Sequence, residues 1–230
     1  MNNHQLSRFR RFLAHHHPSA FLLAAQLLSL VLYVLLEGST GGRELLGAFG
    51  LLVLLLVIWV IQRSPDIRWF TWILVIPAFV LSLISVIFSN ATLLAVSSLL
   101  EALVYFYAVG RLISYMMGDR RVTTDELFAA GATFTLLAWG FAYAYQACQI
   151  WLPGSFSGAV NPDQPRTFLE LLSLSFTNLS ATGSGDIMAL SSPGRILVML
   201  EQFAGIGYLA VVVSRLIGMT IASQKARRAP

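Results

Sequence analysis

Apolar residues run along this chain in blocks of membrane length, separated by short polar breaks. About 20 predominantly apolar residues are needed to carry a helix across roughly 30 Å of hydrocarbon. Six stretches meet that need: Pro18 to Leu36, Glu44 to Gln62, Arg68 to Phe88, Ala91 to Met117, Thr124 to about Leu152, and Pro193 to about Ala222. Boundary chemistry sharpens the last two. Thr123 with Glu126 three residues on is the pairing of a helix capping box. Ser192 is the expected N-cap of the sixth span, with Pro193 at the first helical position, where a missing N–H costs nothing.

The segment between these two spans, Pro153 to Ser192, is too long for a tight turn and has an internal order of its own. Thr167 and Glu170 form a second capping-box pair, opening the apolar run Phe168 to Thr177, which suffices for a helix but not for a crossing. The character then changes to small and polar over Ser180, Ala181, Thr182, Gly183, Ser184, Gly185 and Asp186. Irregular backbone survives at membrane depth only where it lines water or is buried in protein. The pattern predicts an all-α membrane protein of six transmembrane helices, plus a re-entrant helix (168–180) and an irregular loop (181–186) between helices 5 and 6. Residues 1–17 form a basic N-terminus, 18–117 a four-helix domain, 118–222 a second domain that holds helix 5, the re-entrant segment and helix 6, and 223–230 a short tail.

Composition removes the soluble alternative: 57% of residues are hydrophobic and only 11% charged. The single cysteine, Cys148, permits no disulfide within the chain. Arg8, Arg10 and Arg11 ahead of an apolar stretch imitate a signal peptide, but no small-residue cleavage site follows, so the first span is expected to be retained. With the N-terminus inside, Arg8, Arg10, Arg11, Arg63, Arg68, Arg111, Arg120, Arg121, Arg215, Lys225, Arg227 and Arg228 are cytoplasmic, and only Arg43, Arg166 and Arg195 lie outside. That asymmetry predicts both termini in the cytoplasm, in the cell (inner) membrane. It accounts for the net charge of +4 through anionic lipid headgroups, with no nucleic acid as partner. His15, His16 and His17 are adjacent, project in different directions and read as a solvated face, not a metal site.

Glycines at alternate positions, Gly183 and Gly185, permit backbone angles at which carbonyls turn one way and replace an ion's hydration shell. At these residues the stretch from Leu172 to Gly218 resembles the pore region of the bacterial two-transmembrane and six-transmembrane potassium channel family. The family pattern is a pore helix, Thr-Thr-Val-Gly-Tyr-Gly-Asp, a proline and arginine entry to an inner helix, and a hinge glycine. Here Ala181-Thr182-Gly183-Ser184-Gly185-Asp186, Pro193-Gly194-Arg195 and Gly205 stand in those places without gaps.

The resemblance implies a homotetramer, because one chain supplies one filter strand and encircling an ion takes four. It implies ion binding by Ala181, Thr182, Gly183, Ser184 and Gly185, a carboxylate ring at the outer mouth from Asp186 and a gating hinge at Gly205. K+ and Na+ are the expected permeant ions, with no other metal and no cofactor. Departures from the pattern predict weakened discrimination between them. Ser184 replaces the family's bracing tyrosine, and Ala181 replaces the threonine whose hydroxyl completes the innermost ion site.

Two intramembrane carboxylates, Glu101 and Glu201, must face protein or water, since a mid-membrane charge costs about 2.5 to 3.5 kcal/mol even on the mild insertion scale. Glu201, one turn before Gly205, is the inner-helix functional candidate, and Glu101 reads as structural. The fourth span carries only Arg111 near its end, so voltage-sensor arginines are absent from it. Two other readings remain open: a non-conducting channel-like subunit, and an intramembrane serine protease. The second suffers because all four histidines lie at positions 4 to 17, away from Ser184, so no catalytic residue is expected and the chain is not read as an enzyme.

Overall fold

The structure is a computed structural model and describes residues 18–36, part of 73–90, 91–118, 124–183 and 186–228. The expected second span, most of the third, the basic N-terminus, Thr123, and filter positions Ser184 and Gly185 lie outside the described residues. The helices are α1 (Pro18–Leu36), α2 (Ala91–Gly118), α3 (Thr124–Trp151), α4 (Phe168–Leu179) and α5 (Ser192–Arg228). Three of them, α2, α3 and α5, are long and apolar enough to cross a membrane.

α3 is the central post. Its small residues Ala129, Ala132, Ala138 and Ala142 are buried, which lets neighbouring backbones come close. α1 runs parallel to it, with Ser19 bonded to Asp125 and Leu23 lying over Gly131 further along. α2 runs antiparallel, as Tyr115 meets Asp125 at one end and Ser98 meets Gln146 at the other. α5 is antiparallel too: Tyr145 pairs with Glu201, Tyr208 donates to the carbonyl of Ala130 at 2.6 Å, and Arg215 lies 3.5 Å from Glu126.

α4 begins with the expected capping box. The Thr167 hydroxyl accepts from the Glu170 amide, and the Glu170 carboxylate accepts from the Thr167 amide at 2.7 Å. It ends in a Schellman motif: the Thr182 amide reaches the carbonyl of Thr177 at 3.1 Å, and the Ala181 amide that of Asn178 at 3.1 Å. The residue between, Ala181, takes the left-handed conformation (φ 56°) that this motif ordinarily gives to glycine.

Two features differ from expectation. The all-helix fold also contains a small antiparallel ribbon, β1 (Phe156–Gly158) with β2 (Ile187–Ala189), registered with Phe156 opposite Ala189 and Gly158 opposite Ile187. Three-residue strands leave too little alternation to be visible in sequence. The N-cap of α5 is Ser191 and not Ser192. Its carbonyl accepts from Arg195 and its hydroxyl from Gly194, which places Pro193 second in the helix.

Gly205 sits where α5 touches the end of α4. A Cβ there would stand 2.4 Å from the carbonyl oxygen and 2.7 Å from the Cα of Leu179, both backbone atoms. Gly205→Ala is expected to destabilise the protein by about 3 kcal/mol, because the crowding falls on backbone. Ala181→Gly relieves the left-handed alanine and is expected to stabilise it by about 1 kcal/mol. Reversible unfolding in detergent micelles measures both, and a neutral Gly205→Ala would contradict the close approach.

Candidate functional site: the Gly183 segment and its buried carboxylate

α4 hands the chain directly to the predicted filter, and both ends of that segment are tied down. At the near end the amides of Thr182 and Gly183 converge on the carbonyl of Thr177, at 3.1 and 3.4 Å. The Thr182 hydroxyl pairs with that of Ser180 at 2.9 Å. Gly183 has φ 62°, a left-handed conformation that glycine adopts without strain. At the far end the Asp186 carbonyl accepts from the Ala159 amide at 2.8 Å, extending the ribbon by one rung. Ala181, Thr182, Gly183 and Asp186 are all exposed. Arg195 donates to the carbonyl of Ala189 at 3.2 Å.

Behind the segment lies Glu201, fully buried on α5. Its carboxyl group is met by the hydroxyls of Tyr145 from α3 and Ser175 from α4, and by the Asn178 amide at 3.2 Å. Asn178 also donates to the Tyr145 hydroxyl at 3.3 Å, and Gln202 reaches the Asn178 side-chain oxygen at 3.4 Å. Ser175 additionally lies 2.9 Å from the carbonyl of Ala138. A carboxyl group in an apolar span needs several donors, and these come from α3 and α4, the two helices packed against α5 at this level. The network therefore fixes α4 against α3 and α5 in the last turns before Ala181–Gly183.

The ribbon and the start of α4 are set by Arg166, only 5% exposed. Its guanidinium donates to the carbonyls of Val160 (2.9 Å), Asn161 and Gln164, and to Glu170 (3.1 Å). Gln149 on α3 clamps the Arg166 backbone through its side-chain amide, at 2.9 and 2.7 Å. Gly158 leaves room for this side chain, since a Cβ there would come 2.2 Å from Arg166 Nη1.

Sequence reasoning placed Glu201 near the filter but missed Tyr145, Ser175, Asn178 and the role of Arg166. A mid-span carboxylate was the one signal that demanded such partners. Glu101 is buried on α2.

A short, doubly capped helix is set between two membrane-length helices, with a glycine-bearing segment leaving its C-terminus. Residues 132–222 match the family model described as ion channel, and this part of the chain is accordingly similar to ion channels. The match takes in α4, the filter segment, nearly all of α5 and most of α3. No curated protein and no solved structure gives a significant match.

Removing the buried acceptor measures the network. Glu201→Ala strands three donors and is expected to cost about 3 kcal/mol, whereas Glu201→Gln retains an acceptor oxygen and is expected to cost about 1 kcal/mol. Unfolding in detergent micelles compares the two, and equal losses would contradict the hydrogen-bond account.

Proposed function

We propose that this protein is a homotetrameric cation channel of the potassium-channel type, in which four Ala181–Asp186 segments line a central filter. The observation that carries the reading is the placement of α4. At 12 residues it is too short to cross, and its C-terminal end delivers the Gly183 segment beside a membrane-length inner helix. A helix C-terminus carries roughly half a negative elementary charge, so four converging ends favour cations in the cavity below the filter. Backbone carbonyls from Ala181, Thr182, Gly183, Ser184 and Gly185 are the ion ligands, and Asp186 concentrates cations at the mouth.

The uncovered surface of α5 supports the tetramer. Only 22% of its membrane-length window is buried within the chain, against 67% for α3. Glu201, Gly205, Tyr208 and Val212 form the covered stripe, while Ile196, Met199, Phe203 and Ile206 are exposed, with Phe203 at 81%. In a tetramer these side chains face neighbouring subunits and the pore. The directions of α1, α2, α3 and α5 are compatible with six spans and cytoplasmic termini in the cell membrane.

Discrimination of K+ over Na+ is weak in this reading. Ala181 offers no hydroxyl ligand, and its left-handed backbone serves the α4 cap. Bending of α5 at Gly205 would withdraw the inner helix from Leu179 at the base of the filter, which suits a gating hinge.

Ion flux through purified protein in liposomes tests the proposal, with potassium, sodium and chloride gradients compared. Potassium and sodium flux within about tenfold of each other, no chloride flux, and loss of cation flux in Gly183→Asp are expected. Cross-linking should trap four chains. Absence of flux under every gradient, with a cross-linked tetramer, would replace this reading with a non-conducting subunit.

A further inference from the structure

Hydroxyls inside membrane helices ordinarily turn back to a carbonyl of their own helix, as Ser114, Thr133, Thr135 and Thr177 do here. Ser175 on α4 does otherwise. Its two hydrogen-bond neighbours belong to other helices: the carbonyl of Ala138 on α3 at 2.9 Å, and the Glu201 carboxyl group on α5. Each can accept, yet a serine hydroxyl has one proton to give. The second carboxyl oxygen is not short of donors, being met by the Tyr145 hydroxyl and by the Asn178 amide at 3.2 Å. Three oxygens therefore stand in a row, the Ala138 carbonyl oxygen, Ser175 Oγ and Glu201 Oε1, and one proton can fill only one of the two links between them.

A second proton fills the other link. With Glu201 protonated, its own O–H donates to Ser175 Oγ, Ser175 donates to the Ala138 carbonyl, and α4 is tied to α3. With Glu201 ionised, the Ser175 proton is drawn to the carboxylate and the link to Ala138 is empty. Neither form strands a buried group, because the Ala138 carbonyl also serves the ladder of α3 and Glu201 keeps Tyr145 and Asn178 in both. We propose that Glu201 and Ser175 form a proton-operated switch, which fastens α4 to α3 when Glu201 is protonated and releases it when Glu201 ionises. The O–H bond of Glu201 is the only covalent bond made or broken, and its proton passes to or from solvent. Gln202, exposed next to Glu201 and 3.4 Å from the Asn178 side-chain oxygen, gives the network an exposed end. The effect on flux rests on the conduction reading above, whereas the hydrogen-bond exchange does not.

The other titratable groups at the site come from α3: Tyr145, whose ring lies 5.1 Å from that of Phe156 in the ribbon, and buried Cys148 one turn on. α4 contributes Ser175 and Asn178, which carry no charge, and no ion pair to Glu201 is present among the described residues. Two residues past Ser175 stands Thr177, whose carbonyl holds the Thr182 and Gly183 amides. A change in the hold on Ser175 therefore reaches the Gly183 segment within one turn of α4.

The test uses the full chain in liposomes. Infrared spectra taken from roughly pH 4 to pH 10 should show a protonated-carboxyl carbonyl stretch that fades as pH rises and is missing throughout in Glu201→Gln. A Glu201-dependent band that never fades, or never appears, would overturn the switch. Amide exchange of Thr182 and Gly183 is read against Glu201→Gln at the same pH, because the glutamine amide donates to Ser175 as the protonated acid does. The two proteins should agree at the acid end, and the unsubstituted one should exchange about threefold faster at the alkaline end, the scale of one interhelical hydrogen bond. In Ser175→Ala the band should remain while the exchange rate, relative to Glu201→Gln, no longer changes with pH; a change that survives would overturn the role of Ser175. The potassium-to-sodium flux ratio should move about threefold across the titration and stay constant in Glu201→Gln. A constant ratio in a protein whose band fades would overturn the switch as a control of discrimination and leave the channel reading intact. Absent flux in the unsubstituted protein defeats the channel reading, and the infrared and exchange results then decide the switch alone.

Discussion

A carboxyl group in the middle of an apolar membrane helix must be answered by other helices, and much of the packing among α3, α4 and α5 is arranged to answer Glu201. Hydrocarbon offers no water to solvate it, so donors have to come from protein. Tyr145, Ser175 and Asn178 supply them from α3 and α4. Because those donors sit on separate elements, satisfying one side chain also fixes three helices relative to one another. The close contact of Gly205 with the Leu179 backbone lies one turn further along α5, where the same helices are already drawn together. Polar satisfaction and tight packing thus reinforce each other at the base of the Gly183 segment.

That segment is restrained from both ends. The Schellman cap binds Thr182 and Gly183 to the last turn of α4, and the β1–β2 ribbon binds Asp186 to the chain entering α4. Buried Arg166 gathers carbonyls of the connecting loop and joins them to Glu170, the capping residue of the same helix. Short, irregular backbone is therefore held in place by local hydrogen bonds, with the buried carboxyl network supporting it from behind.

Much of the helical plan was legible in the chain. Apolar blocks gave α1, α2, α3 and the start of α5 to within a residue or so, because lipid-length hydrophobic runs have few other solutions, and α5 runs past its expected end near Ala222 to Arg228. The α4 capping box was readable because both its bonds are local, spanning Thr167 to Glu170. The start of α5 was missed by one residue, since Ser191 and Ser192 are equally good caps by type and only the hydroxyl's direction separates them. The ribbon was missed because three-residue strands carry no periodicity of their own.

By itself, the sequence determined that this is a membrane protein, where its helices run, and that residues 181–186 break the helical pattern in a way that resembles a channel filter. It also showed that Glu101 and Glu201 needed partners, since the cost of an unanswered charge in lipid is a property of the residue and its depth. Which partners answer them was decided by tertiary structure alone. Tyr143 and Tyr145 are both plausible donors in sequence, and only the orientation of α3 against α5 sends Tyr145 to Glu201. Gly205 likewise reads as a hinge in the sequence, and only the tertiary structure sets the Leu179 backbone against it. Contacts between residues distant in the chain depend on how helices face one another, and that information is in no local pattern of the sequence.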